Sequence, residues 1–385
     1  MSVWLWQCVL HCVLWHLAHA YTGPRAFERY TPLCGNRKVF YPYALNRVYS
    51  TPECHFGSAE PLSQPPAKAI LLCGGTGERM NKDLERLAGT TKGDITVHHD
   101  CPLSKQFVFL HGIPIFVYSF AEFVKSLLVT EVVIGTKPEW NLKVLELLDS
   151  HASKVLQRGT SGSNAVITGD LEAYKTHLQK YPYFFYDLEE QRCVLFNSPS
   201  WKQALCTAPN SRFKLVSLCV SGDTRAETVH NALNRKTALG VPLLGCCRAE
   251  YIALVHDSVR PLLGQVDINN LVYTATAYGS AVPAISVVDT IKVGTSHNGH
   301  TVVASTPDRS SLFAIQTPQA FRSSLLKSAY KSCTDSRALT DDSSFVEQLG
   351  NHRVRLVPGH RMNIKVTTLE DLSICSVYLK EQYFS

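Results

Sequence analysis

No Gly-Lys-Ser/Thr triplet follows the glycine-rich turn Cys73-Gly74-Gly75-Thr76-Gly77-Glu78-Arg79-Met80, which excludes a P-loop. Met80 stands where a dinucleotide fingerprint needs its third glycine, and no acidic residue ends a second strand, so a Rossmann oxidoreductase is disfavoured. Beyond Cys8 and Cys12 the cysteines show no C-x-x-C pair and no regular spacing, which leaves zinc sites and disulfide frameworks unsupported. Free thiols in a reducing compartment are expected instead, with Cys246-Cys247 as packing. Charge is sparse as well: charged residues make up 18% of the chain, and the net charge is +6. Residues 1–20 contain no Lys, Arg, Asp or Glu; residues 21–66 hold Arg25, Arg29, Arg37, Lys38 and Arg47 against Glu28, Glu53 and Glu60. The remaining positive charge is too dilute over the body for a nucleic-acid groove, but it suits a small anionic substrate.

Val3 to Leu17 is an apolar run, followed by Ala18-His19-Ala20, a small-x-small cleavage pattern. The run is short for a membrane span and has no basic stop-transfer flank, although it also lacks the usual basic residue in front. A removable signal peptide over 1–20 is the expectation, with no membrane partner for the mature form. Residues 21–66 show neither helical nor strand periodicity and end in Pro61-Leu62-Ser63-Gln64-Pro65-Pro66, as a disordered or removable segment would. The pair resembles the two-part address of proteins sent to plastids acquired by secondary endosymbiosis. It implies an apicoplast-like destination reached through the secretory route; a secreted protein with a loose N-terminus is the alternative.

The body opens with Ala69-Ile70-Leu71-Leu72, a short apolar run of the kind buried on both faces of a sheet. The glycines after it let backbone N–H groups approach a ligand, and Arg79 adds a charge that never titrates away. Apolar runs recur at 131–135, 215–220, 251–255 and 281–288, separated by helical stretches such as 116–128. This alternation predicts an α/β fold with a mainly parallel sheet covered by helices. Three polar clusters follow strands at the same edge: the glycine loop, Ser221–Thr228 and Asp257–Arg260. That edge is where open parallel sheets bind ligands. Two stretches interrupt the pattern, about 81–101 and about 158–212, and both read as insertions, the first as a surface loop. His98-His99 lacks further ligands at metal-binding spacing.

The motifs occur in a recognisable order: the glycine loop ending Arg79-Met80; Lys105-Gln106-Phe107; Gly222-Asp223-x-Arg225-x-x-Thr228-Val229; and Val255-His256-Asp257-Ser258-Val259-Arg260-Pro261. Val288-Asp289-Thr290-Ile291-Lys292, Asp308-Arg309 through Gln316-Thr317-Pro318-Gln319-x-Phe321, Thr340-Asp341-Asp342-x-Ser344 and Asn363-Ile364-Lys365-Val366-Thr367 follow. Over residues 67–385 the chain resembles the 2-C-methyl-D-erythritol 4-phosphate cytidylyltransferases. The resemblance implies a Rossmann-like nucleotidyltransferase sheet with a protruding β-arm at about 289–316. It also implies a homodimer and Mg²⁺ accompanying CTP. The implied reaction transfers CMP from CTP to 2-C-methyl-D-erythritol 4-phosphate and releases pyrophosphate, as part of non-mevalonate isoprenoid synthesis.

By matching position, Arg79, Lys105 and Lys365 are the implied catalytic cations. Gly74, Gly75 and Gly77 would hold the triphosphate, and Gly222, Asp223, Arg225, Thr228 and Ser258 the rest of the nucleotide. Asp257, Arg260, Thr290, Arg309, Thr340 and Lys365 would surround the polyol phosphate, with Thr290 and Arg309 reaching the partner subunit's substrate. Asp257 is the candidate metal ligand. Singly, each residue has a plain alternative: a helix-start arginine, a solvated lysine, a capping aspartate. The stretch 81–101 separates Arg79 from Lys105 and leaves the position of Lys105 open. A ribitol 5-phosphate cytidylyltransferase and a non-catalytic nucleotide-binding homologue are the competing readings.

Overall fold

The structure, a computed structural model, describes residues 65–75, 78–156, 183–189, 192–194, 213–234, 250–333 and 339–384. The expected signal peptide and the leader up to residue 64 lie outside the described residues, as do Gly77 and most of the stretch 158–212.

The centre is four parallel strands: β1 (Ala67–Leu72), β6 (Val129–Thr136), β9 (Phe213–Val220) and β10 (Ile252–Asp257). Their order across the sheet is β10-β1-β6-β9. All six residues of β10 are buried, which is why these strands read as continuous apolar runs rather than as alternation. Between β1 and β6 the chain forms the helix Glu78–Leu87, then four two-residue strands: β2 (Thr91–Lys92), β3 (Ile95–Thr96), β4 (Phe109–Leu110) and β5 (Ile113–Pro114). They pair antiparallel in a small separate sheet. The stretch 81–101 therefore differs from the surface loop expected of it. Its first third belongs to the helix Glu78–Leu87, and β2 and β3 then form a hairpin whose second strand pairs with β4.

The other edges are antiparallel. β7 (Tyr183–Asp187) pairs with β9 and with β8 (Arg192–Val194). On the opposite side β15 (Gln319–Arg322) joins β10 to β11 (Ser280–Ser286), which also pairs with β14 (Phe313–Ile315) and, in parallel, with β16 (Arg355–Pro358). Between β11 and β14 the chain leaves the sheet as β12 (Val293–His297) and β13 (His300–Ser305), an antiparallel hairpin exposed at every residue.

Helices cover both faces. Ile115–Lys125, Asn141–Leu156, Gln265–Tyr278 and Leu369–Tyr383 pack on one, around Phe116, Leu148, Leu271 and Leu372. Arg225–Asn234, Ser323–Ser332 and Asp342–Glu347 pack on the other, around Val229, Leu326 and Phe345. Residues 115–124 are all buried, because this helix lies between the sheet and Asn141–Leu156. The six cysteines among the described residues are free thiols.

Candidate active site

β1 and β9 each extend one step past their regular ends, along β6. Cys73 N–H donates to Gly135 O (2.7 Å) and Ser221 N–H to Thr136 O (2.9 Å). This brings Gly74 face to face with Ser221: a Cβ added to Gly74 would lie 2.0 Å from that of Ser221. No side chain fits there. Gly74→Ala is therefore expected to cost about 2 kcal/mol or more of stability, as overpacking does. Gly74→Ala/Ser221→Gly should recover most of it, as measured by thermal unfolding. Gly75 is different, since nothing lies within 4 Å of its Cβ position and its face is open to a ligand.

The loop is held from below by residues flanking Lys105. Gln106 Nε2 donates to Cys73 O (2.7 Å) and Gly75 O (3.1 Å). Ser104 Oγ lies 2.7 Å from Gly75 O and 2.8 Å from Gln106 Oε1. In a trans peptide the C=O and the following N–H point opposite ways. Fixing the Cys73 carbonyl on Gln106 therefore turns Gly74 N–H to the other side, as an anion cradle requires. The same short turn, Lys105–Phe107, sets Lys105, whose Nζ donates to Val366 O at 3.1 Å. Despite the long stretch before it, Lys105 lies beside both the glycine loop and Lys365-Val366. Arg79 is in the first turn of the helix Glu78–Leu87; its side chain lies outside the described residues.

Asp257, at the end of β10, is the centre of charge. Its Oδ2 lies 2.9 Å from Lys365 Nζ and 3.7 Å from Arg260 Nε; its Oδ1 lies 3.4 Å from Arg225 Nε. Burial by itself would raise the Asp257 carboxyl, but Arg225, Lys365 and Arg260 together outweigh it and hold the group well below the usual carboxylate range. Arg225 also binds Asp342, Nη2 to Oδ2 at 2.6 Å. Three cations thus face two carboxylates, with Lys105 close by. The surplus positive charge, and the buried Arg260 Nε that makes no hydrogen bond, suit a polyanion. Arg260 Nη1 donates to Asn363 O (2.7 Å), which keeps the guanidinium at the site.

The same geometry bears on metal binding. Both oxygens of Asp257 already face cations. Among the described residues no group of three or more His, Cys, Asp or Glu is placed to hold a metal. Asp257 is here the shared counter-charge of Lys365, Arg260 and Arg225, and a metal ion at its carboxylate would have to displace one of them.

The other expected residues divide. Gly222 N–H donates to Thr228 Oγ1 (3.0 Å), and Asp223 N–H to Glu227 Oε2 (2.8 Å), which shapes the turn after β9 and leaves Asp223 exposed at its rim. Arg225, expected beside cytidine, points to Asp257 and Asp342. The Ser258 hydroxyl donates to Leu72 O and stitches β10 to β1. Thr340 is exposed and precedes the Asp341 cap of the helix Asp342–Glu347. Thr290 and Arg309 sit on the exposed arm, where Arg309 Nη1 donates to Val288 O.

Sequence reasoning missed the supports: Ser104, Gln106, Thr317, His256 and Asp342. Ser104, Gln106, His256 and Asp342 flank assigned residues within two positions, so proximity along the chain was the available signal. His256 is wholly buried. Asp257 N–H donates to Thr317 Oγ1 (3.1 Å), so the Thr317 hydroxyl donates to His256 Nδ1 (3.1 Å) and Nε2–H faces Arg260 O (3.2 Å). Burial pushes the imidazole down to about 4, against partial support from Asp257. Its unfolded value is ordinary, so the unfolded chain binds the extra proton between about pH 6.5 and 4. Stability is expected to fall by about 3 kcal/mol as pH drops through that window and to change no further below it on this account. Urea unfolding from pH 7 to 4, with His256→Asn flattening the slope, checks this.

Sequence comparison with known proteins points to the same family. A sequence profile of the 2-C-methyl-D-erythritol 4-phosphate cytidylyltransferase family matches residues 193–381. The enzyme of that name from Geobacillus kaustophilus is 39% identical over 170 residues, covering 44% of this chain and 69% of the relative. That from Bacillus velezensis is 46% identical over 134 residues, covering 34% and 56%. The crystal structure of 4-diphosphocytidyl-2C-methyl-D-erythritol synthase from Anaerococcus prevotii superposes with a TM-score of 0.49 at 18% identity, covering 82% of this chain and 99% of that one.

Proposed function

The chain belongs to the 2-C-methyl-D-erythritol 4-phosphate cytidylyltransferase family, and from this membership we propose how its own residues join CTP to 2-C-methyl-D-erythritol 4-phosphate. The protein is a nucleotidyltransferase of isoprenoid biosynthesis. An oxygen of the acceptor phosphate attacks the α-phosphorus of CTP. A new P–O bond forms, the bond to the β-phosphate breaks, and pyrophosphate leaves. No proton transfer is required, so the demand on the protein is alignment of two polyanions and relief of the charge that builds on the α-phosphate.

The observation that carries this reading is the cation group at one sheet edge: Lys105 against the glycine loop, with Lys365, Arg260 and Arg225 around Asp257. The glycine loop takes the triphosphate and the Ser221–Thr228 turn takes the cytidine. The acceptor lies at Asp257, Arg260 and Lys365, and Lys105 with Arg79 spans the reacting phosphates. Magnesium carried on the triphosphate would lower the charge that the cations must offset.

The exposed arm supports a homodimer. It presents Val303 at 62% exposure and, at its base, Phe313 at 45%. Apolar side chains displayed on a projecting hairpin suit burial by a second copy. Arg309 and Thr290 then serve the partner's acceptor site. Mixing an Arg309→Ala subunit with an Arg260→Ala subunit should restore activity to one site per mixed dimer. A plastid of secondary origin is the proposed destination. The support is the uncharged leader and the basic segment after it, and residues 1–66 fused to a fluorescent reporter test it.

Pyrophosphate release with CTP and Mg²⁺ tests the reaction, with methylerythritol phosphate and ribitol phosphate offered in parallel to a chain starting near residue 67. Release with the first alone is expected. Release with ribitol phosphate alone overturns the substrate, and silence with both in a protein that binds CTP overturns the activity.

A further inference from the structure

Asp342 sits on the first turn of the helix Asp342–Glu347 and is wholly buried. A carboxylate there needs strong partners, since a buried charge without them is costly. It has two: Arg225 Nη2 at 2.6 Å and the Tyr330 hydroxyl at 2.7 Å. The Tyr330 ring is itself fixed, stacked on Phe345 with centroids 4.2 Å apart. The helix is held as well, because Gln319 Nε2 donates to the cap Asp341 (2.7 Å) and Ser343 N–H donates to Gln319 Oε1 (3.1 Å). Arg225 begins the helix that follows the Ser221–Thr224 turn, so its backbone belongs to the nucleotide side. Its guanidinium, tied to Asp342, lies instead against Asp257.

We propose that Asp342, supported by Tyr330, is a positioning residue for the acceptor half of the site: it draws Arg225 away from the nucleotide and fixes it on Asp257. Resting on the transferase reading above, this assigns Arg225 to acceptor alignment rather than to selection of the base. Asp342 touches neither substrate and works only through Arg225. Loss of the charge-assisted bond removes an interaction equivalent to about ten- to a hundredfold in affinity.

The experiment compares wild type, Asp342→Asn, Tyr330→Phe, Arg225→Gln and the Asp342→Asn/Arg225→Gln pair in the pyrophosphate-release assay, with CTP and acceptor varied separately. Asp342→Asn is expected to raise the acceptor KM about tenfold or more while moving the CTP KM by less than about threefold. The pair should match Arg225→Gln alone, since a residue acting only through Arg225 has nothing left to act on. Tyr330→Phe, which keeps the carboxylate, should shift the acceptor KM in the same direction by less. It carries the test if Asp342→Asn does not fold. Equal changes in both KM values, or losses that multiply in the pair, overturn the proposal. Variants indistinguishable from an active wild type overturn it alone, whereas an inactive wild type overturns the transferase reading on which it rests.

Discussion

Lys105→Ala is expected to bind CTP nearly as well as wild type and to release pyrophosphate about a hundred- to a thousandfold more slowly, the range found when one fixed charge is removed from a transition state. On the proposed reading Lys105 acts on the reacting phosphates and does not shape the nucleotide pocket. Its Nζ rests on Val366 O, next to Lys365, while its neighbours Ser104 and Gln106 hold the glycine loop. Removing the ammonium therefore leaves the cradle intact and takes away only a charge that is needed as the α-phosphate changes its bonds. Calorimetric titration with CTP and single-turnover pyrophosphate release separate the two effects. A large loss of CTP affinity, with normal turnover of what still binds, would place Lys105 in ground-state binding instead. Gln106→Leu should behave in the opposite sense, raising the CTP KM, because it frees the Cys73 carbonyl and leaves Gly75 O to Ser104 alone.

Asp257→Asn carries the second large effect. The carboxylate is the shared counter-charge of Arg225, Arg260 and Lys365. Without it the partly buried Arg225 and Arg260 and the exposed Lys365 have only Asp342 to offset them. Breaking such a set costs about 3–5 kcal/mol, enough to lower the thermal midpoint by several degrees. Inorganic pyrophosphate should then stabilise the variant more than it stabilises wild type, because the ligand supplies the missing negative charge. Thermal scans with and without pyrophosphate read this directly; equal shifts in both proteins would mean that the anion does not meet this cation group. In wild type the contribution of Asp257 is present throughout neutral pH. Its folded pKa is depressed, so the contribution disappears only as pH falls below the ordinary carboxylate value of about 4.

The central strands were legible because burial on both faces leaves an unbroken apolar run, as at Ile70–Leu72 and Ile252–Val255. The direction of the outer strands was not. β7, β14 and β15 are short, and nothing in Tyr183–Asp187 says that it runs against β9. The site residues were legible as motifs at the ends of strands, but their pairings were not. Arg225 reads as a nucleotide residue because it follows Gly222-Asp223; only the fold brings Asp342, more than a hundred positions later, into its reach. The placement of Lys105 was open for a related reason. A polar stretch of this length reads as a loop, and only the hairpin of β2 and β3, closing onto β4, returns the chain to the glycine turn.

β7 has a consequence for handling the protein. It runs along the outer side of β9 and pairs with Phe213–Ser217, so Leu215–Ser217, which also pair with β6, have strand neighbours on both sides. Trimming the stretch between about 158 and 212 to shorten the chain towards its bacterial relatives would remove that neighbour. It would leave an open row of amides and carbonyls on a strand as apolar as Leu215-Val216-Ser217-Leu218. Unpaired edges of this kind recruit strands from other molecules. A shortened gene product is expected to collect in inclusion bodies even though every substrate-facing residue remains in place.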